Sequence, residues 1–107
     1  MTAETDFAAE AFVTEGGNAL ADGRDMDAEA SFRAALEVSP HFVPANYQLG
    51  MLHLERGRPA DGLPHLQRAA KGQPTASTLT SLGNCFEALG NYEQAILCFR
   101  PVLEKTP

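Results

Sequence analysis

The sequence predicts an all-α fold, a solenoid of three antiparallel helix pairs. Glycine and proline recur along the 107 residues at intervals of 34 and then 33 residues, and the segments between them carry apolar residues at helical spacing. A period of this length is typical of repeat proteins whose units bury their apolar faces only against neighbouring units. The recurring series are Gly16, Gly50 and Gly83; Gly23, Gly57 and Gly90; and Pro40, Pro74 and Pro107.

The first helix pair is predicted over residues 8–22 and 26–38. Gly23 ends its first helix as a left-handed cap, and Asp25 is expected to cap the second helix. Pro40 then stops that helix, because the residue before a proline disfavours the helical conformation.

The second pair begins with a helix predicted over residues 42–56. Its partner has two alternative starts. With Asp61 as the cap, Pro64 falls in the first turn, where the missing N–H costs little. With a start at Pro59, Pro64 lies inside the helix and bends it.

The third pair begins with a helix predicted over residues 76–89. Asn91 and Gln94 have the form of a capping box for the last helix. Pro101 lies inside that helix and removes the hydrogen bond to the Leu97 carbonyl, so a kink or fraying is expected there.

Small residues recur where the two helices of a pair must cross. Glycine inside a helix costs about 1 kcal/mol relative to alanine, so its repetition at one place indicates close backbone approach. The predicted crossings pair Gly16 with Ala28, Gly50 with Gly62, and Gly83 with Ala95, with Phe32, Leu66 and Phe99 filling the space beside them.

At these positions the chain resembles the tetratricopeptide repeat family. The resemblance implies a right-handed α-solenoid with an N-terminal extension at 1–8 and repeats at 9–42, 43–75 and 76–107. The third repeat follows the family pattern best, through Leu79, Leu82, Gly83, Phe86, Ala95, Phe99 and Pro107.

The first two repeats depart from the family pattern. Glu15 replaces a leucine and Ala19 an aromatic residue in the first repeat. In the second repeat Asn46 replaces the bulky residue, His53 the aromatic residue and Gly62 the alanine. These departures are expected to weaken local packing.

The net charge of −6 is concentrated near the amino terminus, where residues 1–37 hold nine acidic residues against two arginines. This acidity argues against nucleic acid as a partner and favours a basic flank on a protein or peptide partner. The alternative is a solvated cap on the first helix pair. No apolar run is long enough to cross a membrane, and the acidic start does not resemble a secretory signal, so a cytoplasmic location is expected.

No catalytic constellation, cofactor motif or metal site is apparent, which argues against an enzyme. His41, His53 and His65 lie on three segments without the spacing of metal ligands. Cys85 and Cys98 are interpreted as small buried apolar residues.

The resemblance implies that partners bind a concave groove lined by the first helix of each pair. Tyr47 and Met51 are candidate anchors for an apolar or helical segment, or they pack only against adjacent helices. Asn84 alone matches the residue types that clamp a peptide carboxylate in some family members, so such a clamp is not expected. The candidate groove residues are Val13, Gly17, Leu20, Tyr47, Met51, Leu54, Thr80, Asn84 and Glu87.

The last helix is apolar on more than one face, which gives a second hypothesis. Solenoids usually end in a polar cap. The apolar residues Ile96, Leu97, Val102 and Leu103 are therefore a candidate assembly surface. The two hypotheses are a non-catalytic module that binds a partner segment in its groove, and an assembly or substrate-recruiting segment of a larger protein or enzyme that forms homo-oligomers through this helix.

Overall fold

The computed structural model describes residues 3–105, which form six α-helices and no β-strand. Each odd-numbered helix packs against the helix that follows it, and α2 and α4 pack against the first helix of the next pair. The predicted all-α solenoid of three helix pairs is confirmed. Pro107 and the first two residues of the expected extension lie outside the described residues. The helices are α1 (Ala3–Ala21), α2 (Asp25–Val38), α3 (Val43–Glu55), α4 (Pro59–Gly72), α5 (Ala76–Ala88) and α6 (Tyr92–Glu104).

The two helices of each pair approach closely at the recurring glycines. A Cβ atom at Gly50 would lie 2.6 Å from Cγ of Leu66, well inside van der Waals contact. A Cβ atom at either equivalent glycine would overlap a phenylalanine ring. The missing side chain therefore provides space that a side chain of the partner helix fills. Of the predicted pairings between small residues, that of Gly50 with Gly62 is confirmed, since a Cβ atom at Gly50 would also lie 3.2 Å from the Gly62 carbonyl oxygen. The three pairs are Gly16 with Phe32, Gly50 with Leu66, and Gly83 with Phe99.

The helices α3 and α4 also meet through glycine on both sides. A Cβ atom at Gly62 would lie 2.7 Å from the carbonyl oxygen of Gly50 and 3.3 Å from Cβ of His53. The family pattern has alanine at this position, and the other two pairs keep it as Ala28 and Ala95. The glycine is thus required by the backbone contact in the second pair.

The turn inside each pair ends in a glycine with positive φ, between +73° and +78°. The residue after each glycine donates its backbone N–H to a carbonyl five residues earlier, which is the Schellman arrangement. The predicted left-handed caps at Gly23, Gly57 and Gly90 are confirmed. The closing bonds run from Arg24 to Ala19, from Arg58 to His53 and from Asn91 to Phe86, over 2.8–2.9 Å.

One helix start differs from the sequence expectation, and one of the two alternative starts of α4 is decided. Helix α1 begins at Ala3, five residues earlier than expected, and α4 begins at Pro59, which places Pro64 inside the helix. Helix α6 continues through Pro101 to Glu104, so of the expected kink or fraying the helix does not fray at Pro101.

The end of α6 lies next to α5. Val102 is half-buried, and with Leu79 it lines a small cavity beside Pro101. The last turn of α6 thus lies beside α5, although Pro101 supplies no N–H for the helix.

Two predicted caps do not form. The Asp25 carboxylate pairs with Arg56 at 2.9 Å, and Asp25 is the first residue of α2. The side chain of Asn91 makes no cap hydrogen bond at α6. A capping box is found instead at α5, where Thr75 and Thr78 each accept the other's backbone N–H through a side-chain oxygen.

Both cysteines are buried, as interpreted from the sequence. They lie in one apolar cluster with Leu66 and Leu82. The Cys85 thiol donates to the Pro59 carbonyl at 3.2 Å. Burial raises the pKa of both thiols, which keeps them protonated and unreactive at neutral pH. Within residues 3–105, no helix has the length and apolar content needed to cross a lipid bilayer.

Adjacent glycines in α1 predict opposite effects of the same substitution. Gly16→Ala is expected to lower the free energy of unfolding by about 1–3 kcal/mol, because its Cβ atom overlaps the Phe32 ring. Gly17→Ala is expected to raise it by up to about 1 kcal/mol, since no atom lies within 4 Å of that Cβ position. Urea denaturation of the two variants measures both effects. Equal effects would show that crossing distance does not set the requirement for glycine.

Candidate functional site

The candidate groove residues of the first repeat lie mostly in the core. Val13 and Leu20 are half-buried and pack against the cluster of Phe32 and Leu49 that joins the first two repeats. Gly17 is exposed. This part of the groove offers little side-chain surface to a partner.

The second repeat supplies the apolar middle of the groove. Tyr47, Met51 and Leu54 are half-buried and pack against a cluster that includes Leu82 of α5. The Ser81 hydroxyl donates to the Tyr47 hydroxyl at 3.4 Å, which links α3 to α5. The three side chains therefore pack against adjacent helices and also keep part of their surface accessible.

The third repeat contributes the polar end of the groove. Thr80 is half-buried, while Asn84 and Glu87 are exposed. Helix α3 contacts both α1 and α5, so the first helices of the three repeats lie side by side. The nine groove residues include one ionisable acid, Glu87, and no cation.

Exposed apolar side chains lie along one face of α6, which we call the α6 end face: Tyr92, Ile96 and Leu103, together with the half-buried Phe99. Ile96 is 53% exposed and Leu103 is 70% exposed. With Phe99 they line a depression of about 370 Å³. Such a row of apolar side chains at i, i+3 and i+7 is typical of a helix surface that packs against another helix.

The candidate assembly residues do not share one surface. Leu97 is 55% exposed but follows Ile96 by one residue, so it lies about 100° around the helix, outside the α6 end face. Val102 is half-buried beside α5. Tyr92, which is 64% exposed, was missed by the sequence analysis, although the repeat register places it on the same face as Ile96.

The α6 end face repeats an interface that is already present inside the molecule. The residues 33 positions before Ile96, Phe99 and Leu103 are Leu63, Leu66 and Ala70 of α4. Those three pack in one cluster with Leu82 and Cys85 of α5. The α6 end face is therefore equivalent to the surface of α4 that packs against α5. No helix within residues 3–105 covers the α6 end face.

The opposite end of the solenoid is polar. Leu49 and Leu52 of α3 pack in a core cluster with Phe32 of α2. The residues 34 positions before the two leucines are Glu15 and Asn18 of α1, both exposed. Glu15 is therefore solvated, and within residues 3–105 no helix packs against α1 at that position.

The departures in the second repeat form a buried polar cluster. Asn46 is fully buried, and its amide nitrogen donates to the carbonyl oxygens of Pro40 at 3.1 Å and Phe42 at 3.3 Å. Its amide oxygen lies 3.2 Å from Nδ1 of His65. The His65 ring stacks on the ring of His53, with centroids 6.1 Å apart. Three hydrogen bonds therefore satisfy the buried amide of Asn46, which replaces the bulky residue of the family pattern.

The surroundings of the two stacked histidines favour their neutral forms. Burial lowers the pKa of His53 below its ordinary value, and the positive charge of Arg58 lowers it further. Burial, Arg68, His53 and Arg33 together lower the pKa of His65. Nδ1 of His53 is buried without a hydrogen-bond partner. Three His, Cys, Asp or Glu side chains grouped to hold a metal ion are not found among the described residues.

Several amino-terminal acids are paired within the fold. Glu29 lies 3.3 Å from Arg33 and 3.5 Å from Arg58, and Asp25 pairs with Arg56. The pairs with Arg56 and Arg58 link α2 to the turn after α3. The acidic surface open to a basic partner is smaller than the sequence charge alone indicates.

Comparison with known proteins agrees with the repeat architecture. The family model described as tetratricopeptide repeat matches residues 13–77 and 47–107. Anaphase-promoting complex subunit 3 of Schizosaccharomyces pombe is 33% identical over 87 residues, which is 80% of this chain and 13% of that protein. The chain therefore spans about an eighth of the length of this relative.

Solved structures share the fold. The N-terminal domain of stress-induced protein-1 from C. elegans superposes with a TM-score of 0.79 and 18% identity, over 97% of this chain and 87% of that one. The O-GlcNAc transferase of Thermobaculum terrenum superposes with a TM-score of 0.83 and 28% identity, over 97% of this chain and 20% of that one.

The buried histidines predict a loss of stability in acid. A histidine whose pKa is lowered by folding binds more protons when unfolded, so the free energy of unfolding falls as pH drops below about 6.5. His53→Phe restores the family's aromatic residue and removes one such group. The variant is expected to lose less stability than the wild type between pH 7.5 and pH 5.5, measured by urea denaturation.

The control for this prediction is His41→Gln, which changes an exposed histidine. It should keep the pH dependence of the wild type. If His53→Phe also keeps that dependence, His53 does not contribute to acid instability.

Proposed function

This chain belongs to the tetratricopeptide repeat family, and from the contrast between its two ends we propose a non-catalytic protein-interaction module that docks a partner helix on the α6 end face. Repeats of this family mediate contacts between proteins. The observation that carries the proposal is the exposure of Ile96 and Leu103, at positions whose α4 equivalents are covered by α5.

The internal interface defines the partner's chemistry. Helix α5 presents Leu82 and Cys85 to α4, and α3 presents Leu49 and Leu52 in the corresponding cluster. In both helices the second apolar residue follows the first by three positions. A helix with this apolar pair fits the α6 end face, and it belongs either to a longer chain or to a separate protein.

Burial of the apolar side chains on the α6 end face contributes free energy to the binding of a helix. Covering a large aliphatic side chain contributes about 1.5–3 kcal/mol when the side chain goes from full exposure to full burial. Ile96 and Leu103 are each more than half exposed, so a docked helix gains a large part of that value from each. This gain offsets part of the entropy lost on association.

Self-association through this face is proposed as isologous, with α6 packed against α6 of a second copy. Head-to-tail stacking would place Glu15 and Asn18 of the second copy against Ile96 and Leu103. Burying an unpaired carboxylate there is unfavourable. A two-fold contact instead buries the same apolar side chains on both copies.

The groove is the second candidate partner surface. The Tyr47 to Ser81 bond and the packing of Met51 and Leu54 against the core hold its apolar middle in one arrangement. Such preorganisation lowers the cost of binding a segment. Glu87 at its polar end is suited to a basic flank on that segment.

An added helix tests the docking proposal directly. A copy of residues 75–90 joined after Pro107 keeps the register in which Pro74 precedes Thr75. We expect this α5 copy to cover the α6 end face and to raise the melting temperature by about 4 °C or more, which corresponds to roughly 1 kcal/mol in a domain of this size. Circular dichroism melting curves measure the shift.

A matched chain carries Leu82→Glu and Cys85→Asn in the added copy only, the residues that α1 has at those positions. It should show no increase in melting temperature, and Ile96→Glu should abolish the increase given by the unchanged copy. An increase that survives both changes would show that the added helix does not dock on the α6 end face.

Sedimentation equilibrium tests self-association. We expect a concentration-dependent dimer that Ile96→Glu abolishes. Leu97→Glu, with the same charge on another face of the same helix, should leave the dimer intact, and so should Met51→Glu in the groove. A wild-type chain that stays monomeric at every concentration contradicts the proposed dimer. The helix-docking proposal is tested separately, by the added α5 copy.

A further inference from the structure

A cleft between α2 and α4 is lined by residues that belong neither to the α6 end face nor to the groove. Its volume is about 460 Å³, within the range of small-ligand sites. Leu36, Pro40 and Leu49 provide its apolar walls. Its polar lining consists of Arg33, Glu37, His41, His65 and Arg68.

The cleft is cationic in an otherwise acidic protein. Two guanidinium groups face a single carboxylate, that of Glu37. Arg33 is already paired with Glu29 at 3.3 Å. The Arg68 guanidinium forms no ion pair or side-chain hydrogen bond within residues 3–105, so its charge is available to a ligand.

The hydrogen bonds of Asn46 show which ring nitrogen of His65 carries a hydrogen. Both amide hydrogens of Asn46 go to backbone carbonyls, so its oxygen accepts from Nδ1–H of His65. Nε2 is then the nitrogen left for a ligand. Because Arg68 follows His65 by three residues on α4, their side chains lie on the same helix surface.

The positive potential acts on His65 itself. Burial and the charges of Arg68, His53 and Arg33 lower the pKa of His65. A bound anion opposes these charges, so it favours the protonated imidazole and gains a second charged donor from it. Glu37 on α2 is the lining group that repels an anion.

We propose that this cleft binds an organic oxyanion, a carboxylate or phosphate group carried on an apolar body. The anionic oxygens lie between Arg68 and Nε2 of His65, and the apolar body packs against Leu36 and Pro40. His41 lines the same opening. The site belongs to the second helices of the first two repeats, and it is independent of the α6 end face.

Nuclear magnetic resonance of the histidine side chains of the whole chain tests the site. The probes are phenyl phosphate and phenylacetate, titrated at constant ionic strength. Each is expected to shift the His65 imidazole signals saturably, to raise the apparent pKa of His65, and to bind more tightly at pH 6 than at pH 8. The tighter probe distinguishes a phosphate source from a carboxylate source.

Two charge-matched variants complete the experiment. Arg68→Gln is expected to weaken binding about tenfold or more, as for the loss of a charged hydrogen bond. Arg100→Gln removes the same charge from α6, at the position in the third repeat that corresponds to Arg33, and should bind like the wild type. Absence of a saturable shift with both probes, or equal weakening by the two variants, would overturn the proposal.

Discussion

The close approach of the two helices in each pair is the contact on which the remaining structure depends. Phe32, Leu66 and Phe99 occupy the space that a Cβ atom would need at the facing glycine. This sets the crossing distance within a repeat, and the positive-φ glycine after each first helix sets its direction. Three crossings built in the same way place three equivalent helix faces side by side, so a residue's repeat position indicates what it contacts.

The second repeat shows how this helix arrangement accommodates polar residues in its core. Gly62 allows the backbone of α4 to reach that of α3 beside His53. Asn46 satisfies its amide with backbone carbonyls and with His65. Hydrogen bonding of this kind offsets the cost of burying polar groups. The same cluster orients His65 toward a cleft with cationic lining, which links a feature of the core to a candidate binding surface.

The two ends of the solenoid differ although the repeats that form them are alike. Glu15 and Asn18 lie at one end at positions where later repeats use apolar residues, and they are solvated. Ile96 and Leu103 lie at the other end with the apolar character of an internal interface. The two ends of the solenoid therefore differ in polarity, and the helix-docking proposal rests on this contrast.

The sequence alone determined the number and order of the helices, the glycine turns and the glycine crossings. These follow from residue types at fixed spacing and from local backbone preferences. It also placed Tyr47, Met51 and Ile96 on their helices. Only the tertiary structure decided which equivalent positions are covered, that Leu97 and Ile96 lie on different surfaces, and that Asn46 and His65 meet. Those outcomes depend on residues that are distant in sequence and adjacent in space, which a local pattern does not encode.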